Sequence, residues 1–156
     1  MADTKKSSGF TQVDGAPLGP PLIGALLRIP WETVRRRMLE RLHERGFDDL
    51  DSAHVNVLLY PGPQGSRPSE LAARLGMSKQ AVNYLLGELE RRGYLERRAD
   101  PDDLRSRRIV LTERGESAGW VMREAVTDVE REWETALGRR RFAELRGLLA
   151  ELAERA

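Results

Sequence analysis

Lys79, Gln80, Asn83 and Tyr84 stand at i, i+1, i+4 and i+5, a spacing that lays them along one face of a helix. Amides of Gln80 and Asn83 can each pair bidentately with an adenine edge, and Lys79 suits a guanine or a phosphate. Tyr84 can touch a phosphate or pack on a thymine methyl. Ser78 precedes this run and Ser69 precedes an earlier helical run, Glu70 to Gly76. Each serine can cap its helix and expose an amino end that suits phosphate oxygens. The alternative for this face is an ordinary solvated helix surface.

A second cluster lies downstream. From Arg91 to Arg108 there are seven arginines against four acids, Glu96, Asp100, Asp102 and Asp103. Arg105 is placed at the tip of a hairpin, where an arginine can enter a minor groove and meet its concentrated negative potential. Asp103, two residues earlier, is expected to hold the Arg105 guanidinium in one orientation. Arg97 and Arg107, on the flanking strand segments, extend the same basic surface. A divalent-metal site at Asp100, Asp102 and Asp103 is rejected: the segment is dense in arginine and lacks the glycine and spacing of a calcium loop. No metal site or cofactor is expected.

These residues need a frame. Leu71 and Leu75 give the first helix an inner side, Gly76 makes a turn, and Ala81, Val82, Leu85, Leu86 and Leu89 give the second helix a buried stripe. Met77 and Val82 have the spacing of a hydrophobic staple around Ser78. Gly93 stops that helix. Tyr94–Arg98 and Arg107–Leu111 read as two strands joined by Asp-Pro-Asp-Asp turn chemistry. The order is a helix-turn-helix followed by a β-hairpin wing, spanning residues 50–112. Ser52 is expected to cap a short helix from Ala53 to Tyr60, and Pro61 to Pro68 reads as loop.

Flanking helices complete the reading. Residues 22–46 carry an apolar stripe with Pro30 expected to kink or restart the helix, and Gly46 to end it. Thr112 caps a long amphipathic run from Glu113 to Leu137. Gly138 breaks it, and Phe142, Leu145, Leu148, Leu149 and Leu152 mark a last helix. Residues 22–46 and 113–156 hold more apolar surface than the compact core needs, so they are expected to pair with a second copy of the chain. Residues 1–21, rich in Gly, Pro, Ser and Lys, read as a flexible arm. The fold class is mainly α with a small β-hairpin (α+β).

The stretch Asp100-Pro101-Asp102-Asp103-Leu104-Arg105-Ser106-Arg107-Arg108-Ile109-Val110-Leu111-Thr112-Glu113-Arg114-Gly115 resembles the wing of MarR-family transcriptional regulators, and SELAARLGMSKQAV with LLGELERRGYLERR resembles their helix-turn-helix. The resemblance covers about residues 22–156. It implies a homodimer with interlocking terminal helices, a pseudo-palindromic DNA operator, and repression relieved by a small ligand. It places Arg105, partnered by Asp103, in the minor groove and Ser78 to Tyr84 in the major groove. Tyr84 is bulkier than the residue members often carry there. Peroxide sensing by a first-helix cysteine is excluded, because the chain has none.

Family ligands are often aromatic or phenolic acids held between dimer helices and DNA-binding lobe. By position the candidates are Trp31, Arg35, Met38, His54 and Trp120, combining aromatic faces with one guanidinium; the alternative makes the aromatics and Met38 dimer core. His54 and His43 have no metal spacing. No Walker loop, GxGxxG, serine elbow or HExxH occurs, so the chain is not read as an enzyme. A winged-helix protein adaptor is the competing function. No apolar run can span a membrane and MADTKKSSGF has no signal-peptide core, so a cytoplasmic location is expected.

Overall fold

The computed structural model describes residues 20–59, 61–62 and 64–155, so the expected arm lies, up to residue 19, outside the described residues. The chain divides into two compact units, residues 1–32 and 33–156. Elements follow in the order α1 (Ile23–Glu44), α2 (Ser52–Leu58), α3 (Pro68–Leu75), α4 (Lys79–Arg91), β1 (Leu95–Asp100), β2 (Asp103–Leu111), α5 (Glu113–Leu137) and α6 (Arg139–Glu154). In the first unit Leu22, Ile23, Leu26, Leu27, Ile29 and Trp31 are exposed, and Arg28 pairs with Glu32 at 2.7 Å.

α1 continues through Pro30, so no new helix starts there. The ring removes one amide donor, but strong helix formers on both sides, Ala25-Leu26-Leu27-Arg28 and Arg35 to Glu40, keep the helical course. α2 begins at Ser52, and its cap is Asp51 rather than Ser52. The Asp51 carboxylate accepts from the amides of Ala53 (2.8 Å) and His54 (3.1 Å), which a carboxylate at a helix amino end does well. The helix stops at Leu58, short of the expected end at Tyr60, a residue outside those described.

α3 also starts earlier than its serine suggested. Pro68 takes the first helical position, where its missing N–H costs nothing, and Arg67 is the cap residue. Ser69 is inside the helix; Glu70 supplies the capping oxygen instead, accepting from the Arg67 amide at 2.9 Å. Gly76 ends α3 with φ 61°, which only glycine adopts without strain. Ser78 caps α4 as expected, accepting from the Ala81 amide at 3.1 Å.

The hairpin is longer than expected. Pairing runs from Leu95↔Leu111 to Asp100↔Asp103, with a bulge between Ala99 and Asp100, so Arg105 and Ser106 lie within β2 and the turn narrows to Pro101-Asp102. Arg98 and Arg108 face each other across the pair, which would repel. Arg98 is neutralised by Glu96 of its own strand, and Arg108 by Asp100 at the end of β1 and Asp102 in the turn. Ser66 adds a bridge to Ile109, donating and accepting at 3.0 and 2.8 Å, so the loop before α3 is stitched to the wing.

One core joins these parts. Met38, Leu42, Val55, Leu71, Val82, Leu86, Leu89, Tyr94, Leu95, Ile109, Ala118, Met122 and Val129 are buried together. Along the rim, Arg37 and Arg41 of α1 and Arg45 just beyond it pair with Glu132, Asp128 and Glu124 of α5, in antiparallel register. Exposed pairs of this kind are screened by solvent, so the ladder aligns α5 more than it stabilises it.

Candidate nucleic-acid interface

α4 sorts its side chains by face. Val82, Leu85, Leu86 and Leu89 are buried, whereas Ser78, Lys79, Gln80, Asn83 and Tyr84 are exposed, Tyr84 at 65%. The inner stripe anchors the helix and leaves the outer residues free to meet a ligand. Ser78 is committed through its oxygen to the cap.

Beside this face lies a cleft between α3, α4 and the wing. It is lined by Arg67, Pro68, Ser69, Lys79, Asn83, Ser106 and Arg107. The fold thus brings Ser69 of α3 and Lys79 and Asn83 of α4 together with Arg107 of β2. Arg67 and Ser106 join them; sequence reasoning missed both. Pro68 followed by Glu70 was the available signal for Arg67, since Pro at the first turn with an acid near it marks a helix start. Lys79 and Arg107 form no ion pair among the described residues. Arg97, by contrast, is held by Glu90 at 3.1 Å.

Asp103 does not hold the Arg105 guanidinium. Its carboxylate accepts from the Arg105 amide (3.0 Å) and from the Ser106 hydroxyl (2.7 Å). Those bonds hold Asp103 below the ordinary carboxylate pKa, the Ser106 bond most strongly. The reason is local: residue i+2 amides and i+3 hydroxyls lie within reach of a short Asp side chain leaving a turn. The Arg105 guanidinium is exposed and has no bonded partner among the described residues.

The buried acid of the wing is Asp100. One oxygen accepts from Arg67 Nε at 2.6 Å, the other from Arg108 Nε and the Asp102 amide, each at 3.0 Å. The Arg67 bond leads in pulling its pKa down, to about 2, against the opposing effect of burial.

Beneath the carboxyl end of α4, Tyr94 is fully buried and donates to Asp49. Arg114 lies over its ring, 4.3 Å from the centroid, and bonds both Asp49 oxygens at 3.2 Å. Burial first, and then the bond to Asp49, push the Tyr94 hydroxyl up to about 12. His54 is also buried. Its Nδ1 accepts from the Asp51 amide at 3.2 Å and its Nε2 faces Glu88 at 3.3 Å, so it links α2 to α4.

The four candidate effector residues of the second unit do not converge. Met38 (0% exposed) and His54 (1%) are closed in the core, and Arg35 donates to the Ser52 carbonyl at 3.3 Å. Trp31 belongs to the first unit and is exposed. Trp120, 67% exposed, lines a separate groove with Arg41, Arg123, Glu124, Thr127, Asp128 and Arg131. No group of three or more metal-ligating side chains occurs among the described residues, nor is any of their helices long and apolar enough to cross a membrane.

A helix-turn-helix whose second helix exposes polar residues beside an arginine-bearing hairpin defines a winged-helix protein. Residues 48–106 match the sequence profile of the MarR family. The chain is 32% identical over 85 residues to the uncharacterized HTH-type transcriptional regulator YkoM of Bacillus subtilis, and the alignment spans about half of each protein, 54% in both cases. Wild-type MarR of Escherichia coli, in its apo form, superposes with a TM-score of 0.68 over 85% of this chain and 98% of its own, at 24% identity, a likeness of fold. The transcriptional repressor CouR, solved bound to a 23-mer DNA duplex, superposes with a TM-score of 0.64 at 27% identity, covering 85% and 92%. The winged-helix domain of this chain is thus similar to that of MarR-family proteins.

Proposed function

We propose that the protein is a transcriptional regulator that binds double-stranded DNA in a sequence-specific manner, acting as a repressor. The observation that carries the reading is the continuity of the exposed α4 face with the basic cleft and the wing. Lys79, Gln80, Asn83 and Tyr84 present base-reading chemistry. Lys79 and Arg107, without acidic partners among the described residues, present phosphate-binding chemistry. Arg105 stands clear on β2 for a minor groove. The DNA-bound state of CouR supports the same use of the fold.

The operator-bound form is a homodimer, with two α4 helices about one turn of duplex apart. Leu145, Leu148, Leu149 and Leu152 line α6 as an exposed apolar stripe that a second copy would cover. Relief by a small effector belongs to the same reading, and Trp120, in its arginine-lined groove, is the candidate of the second unit left open to an aromatic acid.

Fluorescence anisotropy with duplex from upstream of the coding region, at two salt concentrations, tests the function. Binding that beats a scrambled duplex and weakens steeply with salt is expected. Equal, weak binding to both duplexes would overturn the reading in favour of a protein adaptor. Sedimentation should give twice the 17.7 kDa chain mass.

A further inference from the structure

We propose that Asp100 is the positioning residue of the wing: by gripping Arg67 and Arg108 at once, it ties the hairpin to the start of α3 and sets the cleft in which Lys79 and Arg107 meet the DNA backbone. The proposal rests on the DNA-binding reading above.

The geometry is specific. Alternation along β1 alone would put Asp100 on the face opposite Leu95, but the register shifts between Ala99 and Asp100, leaving the three residues of β2 between Asp103 and Arg107 without partners, and regular pairing gives way at the end of β1. Asp100 is thereby fully buried, while Ala99, Pro101 and Asp102 around it are exposed. A lone carboxylate in such a place would be costly, and this one is fully engaged. Arg67 Nε approaches one oxygen at 2.6 Å, and Arg108 Nε the other at 3.0 Å. The Asp102 amide takes a further lone pair, and Arg108 reaches on to Asp102 at 3.1 Å. Charge-assisted bonds on both oxygens fix direction as well as distance.

The two arginines belong to different elements. Arg67 is the cap residue of α3 and lines the cleft; Arg108 lies on β2 next to Arg107, which lines the opposite wall. Asp100 therefore acts through other groups and touches no DNA. It also neutralises Arg67, which leaves Lys79 and Arg107 as the cleft cations without an ion pair among the described residues.

Two physical effects of removing this charge have opposite signs. Asp100→Asn adds one positive charge near the DNA surface, so electrostatics alone would tighten binding and steepen its salt dependence. Displacement of Lys79 and Arg107 from the backbone would weaken binding and make the salt dependence shallower, because fewer phosphates are neutralised. We expect the second: affinity at low salt falls at least about tenfold, and the log–log salt slope falls by about 0.9 for each phosphate no longer neutralised. Stoichiometric titration, which counts active molecules, should still give full activity. Arg67→Gln, breaking the same bridge while leaving Asp100 paired to Arg108, should lower the slope likewise, and the double variant should bind no worse than either single one.

Unchanged or tighter binding by Asp100→Asn overturns the proposal, as does weaker binding with the wild-type slope. If Asp100→Asn does not fold, Arg67→Gln decides by the same slope criterion. A wild-type protein with no salt-dependent preference for its duplex instead fails the underlying reading, and the proposal falls with it.

Discussion

Two glycines on α5 should respond to the same substitution with opposite signs. A Cβ on Gly115 would lie 2.0 Å from the Tyr94 carbonyl oxygen, 3.0 Å from its carbon and 3.1 Å from Leu111 Cδ2, whereas a Cβ on Gly119 meets nothing within 4 Å. Ordinary contact begins at 3.4 Å, so Gly115→Ala must open a gap of about 1.4 Å between two backbone segments. Neither segment can yield cheaply. The Tyr94 oxygen accepts from the Thr112 amide at 3.1 Å, the Tyr94 amide donates to Leu89 at 2.9 Å, and the Gly115 amide donates to the Thr112 hydroxyl at 3.2 Å. Overpacking costs about 1–3 kcal/mol, and disturbing the bond and the cap about 1 kcal/mol each. Higher helix propensity returns about 1 kcal/mol. The net loss expected is about 2–4 kcal/mol. Gly119→Ala keeps only the propensity gain, about 0.4–1 kcal/mol. Urea unfolding followed by circular dichroism, at one fixed protein concentration, should therefore move the two midpoints in opposite directions with little change in slope. The reasoning is refuted if Gly115→Ala unfolds within about 0.5 kcal/mol of wild type, a bound set by ordinary surface substitutions, or if both variants shift the same way.

Arg105→Ala should weaken operator binding at least about tenfold, the loss of about 1.4 kcal/mol or more, while sedimentation still reports the dimer; wild-type affinity would sink the minor-groove assignment. Gln80→Ala and Asn83→Ala should each cost about 1–3 kcal/mol of discrimination between operator and single-base variants, with scrambled-duplex binding unchanged; retained discrimination in both would remove α4 as the reading element. Tyr94 is neutral in the fold up to about pH 12 but titrates near 10 when unfolded, so its contribution is complete below pH 10 and is lost as pH rises through 12. Tyr94→Phe should abolish that alkaline loss in unfolding curves; a variant with the wild-type decline between pH 10 and 12 would count against it.

Periodicity and punctuation made most of the fold legible. Apolar spacing marked the buried side of α4, and Gly46, Gly76, Gly93 and Gly138 marked turns that the structure makes with positive φ. Thr112 was readable as the cap of α5, and the wing sequence carried the family resemblance. Errors arose where several neighbours offer the same local chemistry. Asp51 outcompeted Ser52 as a cap because its carboxylate takes two amides, and Arg67-Pro68-Glu70 displaced Ser69 because a proline ring is already set for the first helical turn.

The sequence by itself determined which segments would be helices, where the hairpin would fall, and that Lys79, Gln80, Asn83 and Tyr84 would share a face, since these follow from repeats a few residues long. Tertiary structure alone decided the distant partners. Asp100 reaches Arg67, 33 residues away, and His54 is buried where it joins α2 to α4. A carboxylate or imidazole can serve many donors equally well along the chain. Which one it serves is settled by the packing that removes it from water and leaves few partners within reach.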